Sequence, residues 1–249
     1  LIASGTAPPA LPSYTFNGVS NPLPPRTQPK VSLTLGATYP VAIAGTLSLT
    51  TAGDLPSDPS VQFSSGGQTA SFIIPANSTN AIFANSGTSI AFQSGTVART
   101  ITLTPSFATQ AGGVNLTPAT PRTLQVSVVP AVPVLTSLQL TNVSANGLSI
   151  VVTGYATTRT LNNWTVQFAT SQGFTMPQTK FTLNIQPISA LWFQGNASQA
   201  FGGQFTITVP FSFQGALPTG ATILNVLNSI AVNVSNDLGS SNTVQVASQ

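Results

Sequence analysis

Along most of the chain apolar and polar residues alternate with a period of two, the spacing of a strand that buries one face. Such runs, rich in β-branched residues, predict strands over 31–35, 41–50, 69–74, 88–92, 97–104 and 123–129. A second series covers 134–140, 148–153, 164–169, 180–185, 204–213, 223–234 and 243–246. Turn clusters punctuate both series, among them 53–59, 64–68, Asn146-Gly147 and Gly202-Gly203. No stretch sustains helical spacing between caps, so strands are expected throughout.

Six or seven short strands per half predict an all-β chain of two tandem immunoglobulin-like β-sandwich domains. They span residues 31–130 and 131–249. At the boundary Pro130 and Pro133 remove backbone donors and fix φ, which predicts a short, stiff connector. Residues 1–30 form a proline-rich N-terminal arm, with prolines at 8, 9, 12, 22, 24, 25 and 29 that bar it from a central strand. Within it, Ser13–Val19 is free of proline and alternates, with Tyr14 and Phe16 on one face. This predicts one edge strand, and Tyr14, Phe16 and Val19 are the candidate residues for strand addition to a neighbouring subunit. Pairing with an edge of the arm's own first domain is the competing expectation.

Composition narrows the chemistry. Among 249 residues there are six basic and three acidic side chains and no His, Cys or Glu. General acid–base and nucleophilic mechanisms need titratable groups set near working pH. Serine triads, thiol nucleophiles, zinc sites and glutamate pairs lack their residues, so no catalytic residue is assigned and the chain is expected not to be an enzyme. Asp54 and Asp58 share one proline-containing turn, unlike a glycosidase pair set across a cleft. They also supply too few oxygens for calcium, and no metal or cofactor is expected. The six cations are scattered along the sequence, against a nucleic-acid partner. No apolar run approaches the roughly 20 residues of a membrane-spanning helix, so no membrane insertion is expected. A Ser/Thr-rich chain with so few charges suggests a secreted or cell-surface location. Starting at Leu1, it is expected to follow a removed leader or to be part of a longer precursor.

Aromatic residues gather in the second half. Most read as core, whereas Trp164, Trp192 and Phe193 are the candidate residues of an exposed platform for polysaccharide. The stretch Val61-Gln62-Phe63-Ser64-Ser65-Gly66-Gly67-Gln68-Thr69 is followed by Phe72-Ile73-Ile74-Pro75-Ala76-Asn77-Ser78-Thr79 and by Gly95-Thr96-Val97-Ala98 leading into Ile101-Thr102-Leu103-Thr104. Together with 198–205 and 234–242, these residues resemble the Ig-like modules of large secreted proteins from Acidobacteria and similar bacteria. The resemblance spans most of 31–249 and implies sandwich modules at the cell exterior, with no catalytic residue to carry across. The function expected is a non-enzymatic structural subunit of an extracellular filament or surface array, with itself as partner. The alternative is an adhesion or carbohydrate-binding module pair within a larger surface protein.

Overall fold

The structure, a computed structural model, describes residues 7–215, 217 and 219–247. The first six residues of the expected arm lie outside the described ones. The chain forms two compact units: the first runs up to Asp54 and from Pro59 to Val129, and the second takes the chain from Pro130 onward together with the short segment Leu55–Asp58. Both are β-sandwiches of immunoglobulin-like type, each with its own apolar core.

In the first unit the strands are β1 (Tyr14–Asn17), β2 (Lys30–Leu35), β3 (Ile43–Ala52), β4 (Thr69–Ile74), β5 (Ile82–Phe83), β6 (Ile90–Ala91), β7 (Arg99–Thr109) and β8 (Leu124–Val128). One sheet has the order β5-β4-β3-β7-β8 and the other β1-β2-β6. Alternation builds the core: Leu47 and Leu49 on β3, Phe72 and Ile74 on β4, and Ile101, Leu103 and Phe107 on β7 meet Val31, Leu33 and Leu35 of β2. Pro105 sits within β7, which pairs with β8 only as far as Leu103, so its missing donor interrupts no ladder on that side. At Gly45 the absent side chain makes room for the Phe72 ring, and a Cβ there would also stand 2.6 Å from the Ser106 carbonyl oxygen.

The arm is built into this unit. β1 pairs antiparallel with β2 in the register Tyr14↔Leu35, Thr15↔Thr34, Phe16↔Leu33 and Asn17↔Ser32. Farther along, Leu23 is buried and its N–H donates to the Ser127 carbonyl of β8. Asn21 Oδ1 accepts from both the N–H and the hydroxyl of Ser127. Arm residues thus carry backbone pairing and side-chain bonds at several points, which orders a segment whose prolines rule out a regular central strand.

The second unit contains β9 (Val134–Thr141), β10 (Gly147–Tyr155), β11 (Asn163–Thr170), β12 (Lys180–Asn184), β13 (Gln204–Ser212), β14 (Leu227–Asn236), β15 (Gly239–Ser240) and β16 (Val244–Ala247). One sheet is β13-β10-β9. In the other, β12-β11-β14-β15, β16 also pairs with β14. The core joins Leu148, Ile150 and Val152 to Trp164, Val166 and Phe168 and to Ile230, Val232 and Val234.

Two helices correct the all-strand expectation: α1 (Gln186–Gln194) and α2 (Asn196–Gln199) occupy the chain between β12 and β13. Pro187 lies in the first turn of α1, where its missing N–H costs no helical bond. The expected single strand over 223–234 is instead a 3-10 turn, Ile223–Asn225, followed by β14.

Candidate functional site

Tyr14, the first arm candidate, is only 4% exposed and its ring lies 5.0 Å from that of Phe107. Its hydroxyl donates to the Arg122 carbonyl at 3.1 Å. Burial holds the phenol above its ordinary pKa. Phe16 and Val19 are half-buried and pack against the same core. Tyr39 ties down the beginning of the arm by donating to the Pro9 carbonyl at 2.6 Å, and burial raises its pKa too. All three arm candidates therefore engage the chain's own first unit.

The three platform candidates do not come together at the surface, which corrects that expectation. Trp164 is fully buried on β11, stacked 5.9 Å from Phe211, and its indole N–H meets no acceptor. Phe193 is buried on α1. Consecutive residues of a helix lie about 100° apart, so Trp192 and Phe193 part company by helical geometry rather than by the alternation of a strand. Trp192 alone reaches the surface, where it pairs with exposed Phe201 at 6.0 Å. Asp54 is exposed and Asp58 buried.

The helical segment between β12 and β13 is held by Arg159. Its guanidinium donates to the carbonyls of Gly202 and Phe193 and to Ser198 Oγ, the last at 2.8 Å. It also stands over the Phe193 ring at 5.2 Å. Ser189 Oγ adds a bond to the Leu161 carbonyl at 2.7 Å. With Ser189 and Phe193 turned inward, α1 presents Ile188 and Leu191 to solvent at 70% and 74% exposure.

This leaves the side of the second sandwich between edge strands β12 and β13 open. The inward residues of β13 after Phe205, namely Ile207, Val209 and Phe211, are only half-buried, and Leu183 of β12 is exposed. A cleft of about 450 Å³ lies there, bounded by Leu183, Ile188, Trp192, Phe205, Thr206 and Thr208. A second of about 450 Å³ lies beside Phe174, Met176, Phe181 and Phe213. Neither is lined by a charged side chain. Among the described residues no group of three or more His, Cys, Asp or Glu is placed to hold a metal ion, and no helix is long and apolar enough to cross a membrane.

No protein-family model and no curated protein matches the chain. Among solved structures, a two-domain fibronectin type III segment of chicken tenascin is similar at 11% identity, over 95% of this chain and 97% of that one, with a TM-score of 0.32. The class 5 fimbriae chaperone CfaA is similar at 8% identity, over 95% and 99% of the two chains, with a TM-score of 0.31.

Proposed function

We propose that the chain is a non-enzymatic structural subunit of a bacterial extracellular filament or surface array, assembled by addition of the N-terminal arm strand to a sheet edge of a neighbour. The observation that supports this reading is the way β1 binds. It is an edge strand that inserts Tyr14 into the core, and residues 18–29 separate it from its partner strand β2. A neighbour's β1 entering the same place would reproduce the same backbone ladder and the same burial of Tyr14, so exchange between copies conserves the contacts. The near absence of charge favours it further, because close packing of copies meets little like-charge repulsion.

The chain's lack of cysteine makes the exchange directly measurable. Thr15 and Thr34 are register partners across β1 and β2, so in a Thr15→Cys, Thr34→Cys chain a 15–34 disulfide reports that pairing, with the two single-cysteine chains as controls for 15–15 and 34–34 cross-links. Oxidised after assembly at high concentration, it is expected to give a ladder of covalent multimers on a non-reducing gel, and filaments or arrays by electron microscopy. A single monomer band means that the arm stays on its own unit, and the assembly reading fails.

A further inference from the structure

The free edge of β13 carries an unusual arrangement of open and closed backbone groups. The Ala156 N–H donates to the Gly203 carbonyl and the Phe213 N–H to the Asn146 carbonyl. The unbroken register between β10 and β13 then turns odd-numbered β13 residues toward β10 and the even-numbered ones, 204 to 212, outward. At one end Gln204 is closed: its N–H donates to the Phe201 carbonyl at 3.0 Å and its carbonyl accepts the Trp192 indole N–H at 3.2 Å. At Pro210 the outward position has no N–H at all. Between these stops, Thr206 and Thr208 each present an N–H and a carbonyl that meet no partner among the described residues.

We propose that this edge is a self-association surface, on which a second copy lays its own β13 antiparallel in a register centred on Ile207. In that register Thr206 faces Thr208 of the second copy and Thr208 faces its Thr206. Each pair exchanges two hydrogen bonds, so all the open threonine groups are satisfied. The two stops then meet at the ends of the ladder: the nitrogen of Pro210 faces the Gln204 carbonyl that the Trp192 indole already occupies, and the Pro210 carbonyl faces the Gln204 N–H already given to Phe201 and stays open to water. A register centred on Val209 instead sets the Thr208 carbonyl against the Pro210 nitrogen, leaving an unpaired acceptor inside the ladder. The Ile207 register therefore satisfies both threonines and leaves its mismatches at the two ends of the ladder, whereas the Val209 register places them inside it.

Side chains and charge agree with this occupant. Paired residues of neighbouring strands lie on the same face, so Ile207 and Val209 of each copy would extend the other's half-buried inner row, beside the open cleft. β13 and α1 contain no charged residue, whereas protein edges that avoid pairing usually carry lysine, as β12 does at Lys180. The result is a two-fold symmetric contact that joins two three-stranded sheets, distinct from the exchange of β1 and independent of it.

The test again exploits the absence of cysteine. On the two-fold axis Ile207 faces its own copy in a non-hydrogen-bonded pair, with Cα atoms about 4.5 Å apart, within disulfide reach. Under mild oxidation the full-length Ile207→Cys chain should become a disulfide dimer, while Val209→Cys, about 13 Å from its own copy by strand rise, should not. Sedimentation of the unmodified chain should show a concentration-dependent dimer. Thr208→Pro, which removes an outward N–H that serves nothing inside the monomer, should weaken that dimer about tenfold or more with the melting transition retained. The proposal is overturned if the unmodified chain sediments as a monomer at its highest soluble concentration, if Val209→Cys cross-links as readily as Ile207→Cys, or if Thr208→Pro dimerises unchanged. Should Ile207→Cys fail to fold, the Thr208→Pro comparison decides alone.

Discussion

Arg159 is 4% exposed and has φ +54°, a left-handed conformation that costs a non-glycine residue energy. Its guanidinium bonds to Gly202, Phe193 and Ser198 tie the end of α1 and the approach to β13 to the loop after β10. Replacing it with methionine keeps the bulk and strands buried carbonyls. Hydrogen bonds to a charged group contribute about 1.5–3 kcal/mol each, so a loss of about 3 kcal/mol in urea unfolding is expected, with a changed near-ultraviolet signal from Trp192. Lysine should rescue little, because one ammonium cannot reproduce a planar fork. Neither the burial of Arg159 nor its role was legible in the sequence, where it read as one of six scattered cations. Its partners lie 34 to 43 positions away, and no local pattern encodes such a meeting. Tyr14 was legible, because alternation within a proline-flanked segment marks an edge strand and names the inward residue. Trp164 and Phe193 were misread for opposite reasons. Trp164 occupies a core position of an expected strand, and a platform there would have emptied that core. Phe193 owes its direction to a helix that the pattern hid.

That hidden helix shows where element-level reading fails. A surface helix normally shows itself by apolar residues three and four apart on its buried face. In α1 the residues at that spacing, Ile188, Leu191 and Trp192, face outward, while Ser189 and Phe193 are buried. There is no acidic first turn, basic last turn or side-chain N-cap to mark its ends. The strands, by contrast, advertise themselves: β4 and β7 alternate buried and more exposed positions nearly without interruption. Shifting such a strand by one residue would turn its apolar set to solvent, so pattern and register enforce each other. The arm is the element where a test is sharpest. Tyr14→Ala empties a buried aromatic site beside Phe107 and removes the bond to Arg122. Phe→Ala and Trp→Ala substitutions in cores cost about 3–5 kcal/mol, and the half-covered sheet edge sets the expectation here at about 3 kcal/mol. Trypsin should then cut after Arg26 and Lys30 much faster than in the parent chain, reflecting local release of the arm. Equal cleavage rates would mean that Leu23 and the Asn21–Ser127 bonds hold the arm without β1.

At the scale of the whole molecule, scarcity of charge shapes the response to pH. Folding stability varies with pH only where folded and unfolded chains bind different numbers of protons. The chain has no His, Cys or Glu, and ordinary Asp titrates near 4 while ordinary Tyr and Lys titrate near 10. Between about pH 5.5 and 9 the melting temperature should therefore be nearly flat. The alkaline side differs, because burial raises the pKa of both Tyr14 and Tyr39. Above the ordinary phenol value the unfolded chain has lost these protons while the folded first unit retains them. The unfolded state then binds fewer protons, and stability falls as pH rises. The contribution of both groups is fully present below about pH 10 and is lost as pH climbs through their raised folded-state values. Ionisation would also break the hydrogen bonds that each hydroxyl donates to a carbonyl of Arg122 or Pro9, so the arm should loosen along with the core it covers. Melting curves from pH 6 to 12 should accordingly show a plateau and then an alkaline decline. In Tyr39→Phe the decline should be shallower, since one of the two protons no longer takes part. A plateau extending past pH 11 in the parent chain, or an identical decline in Tyr39→Phe, would show that these phenols do not link the folding of the first unit to pH.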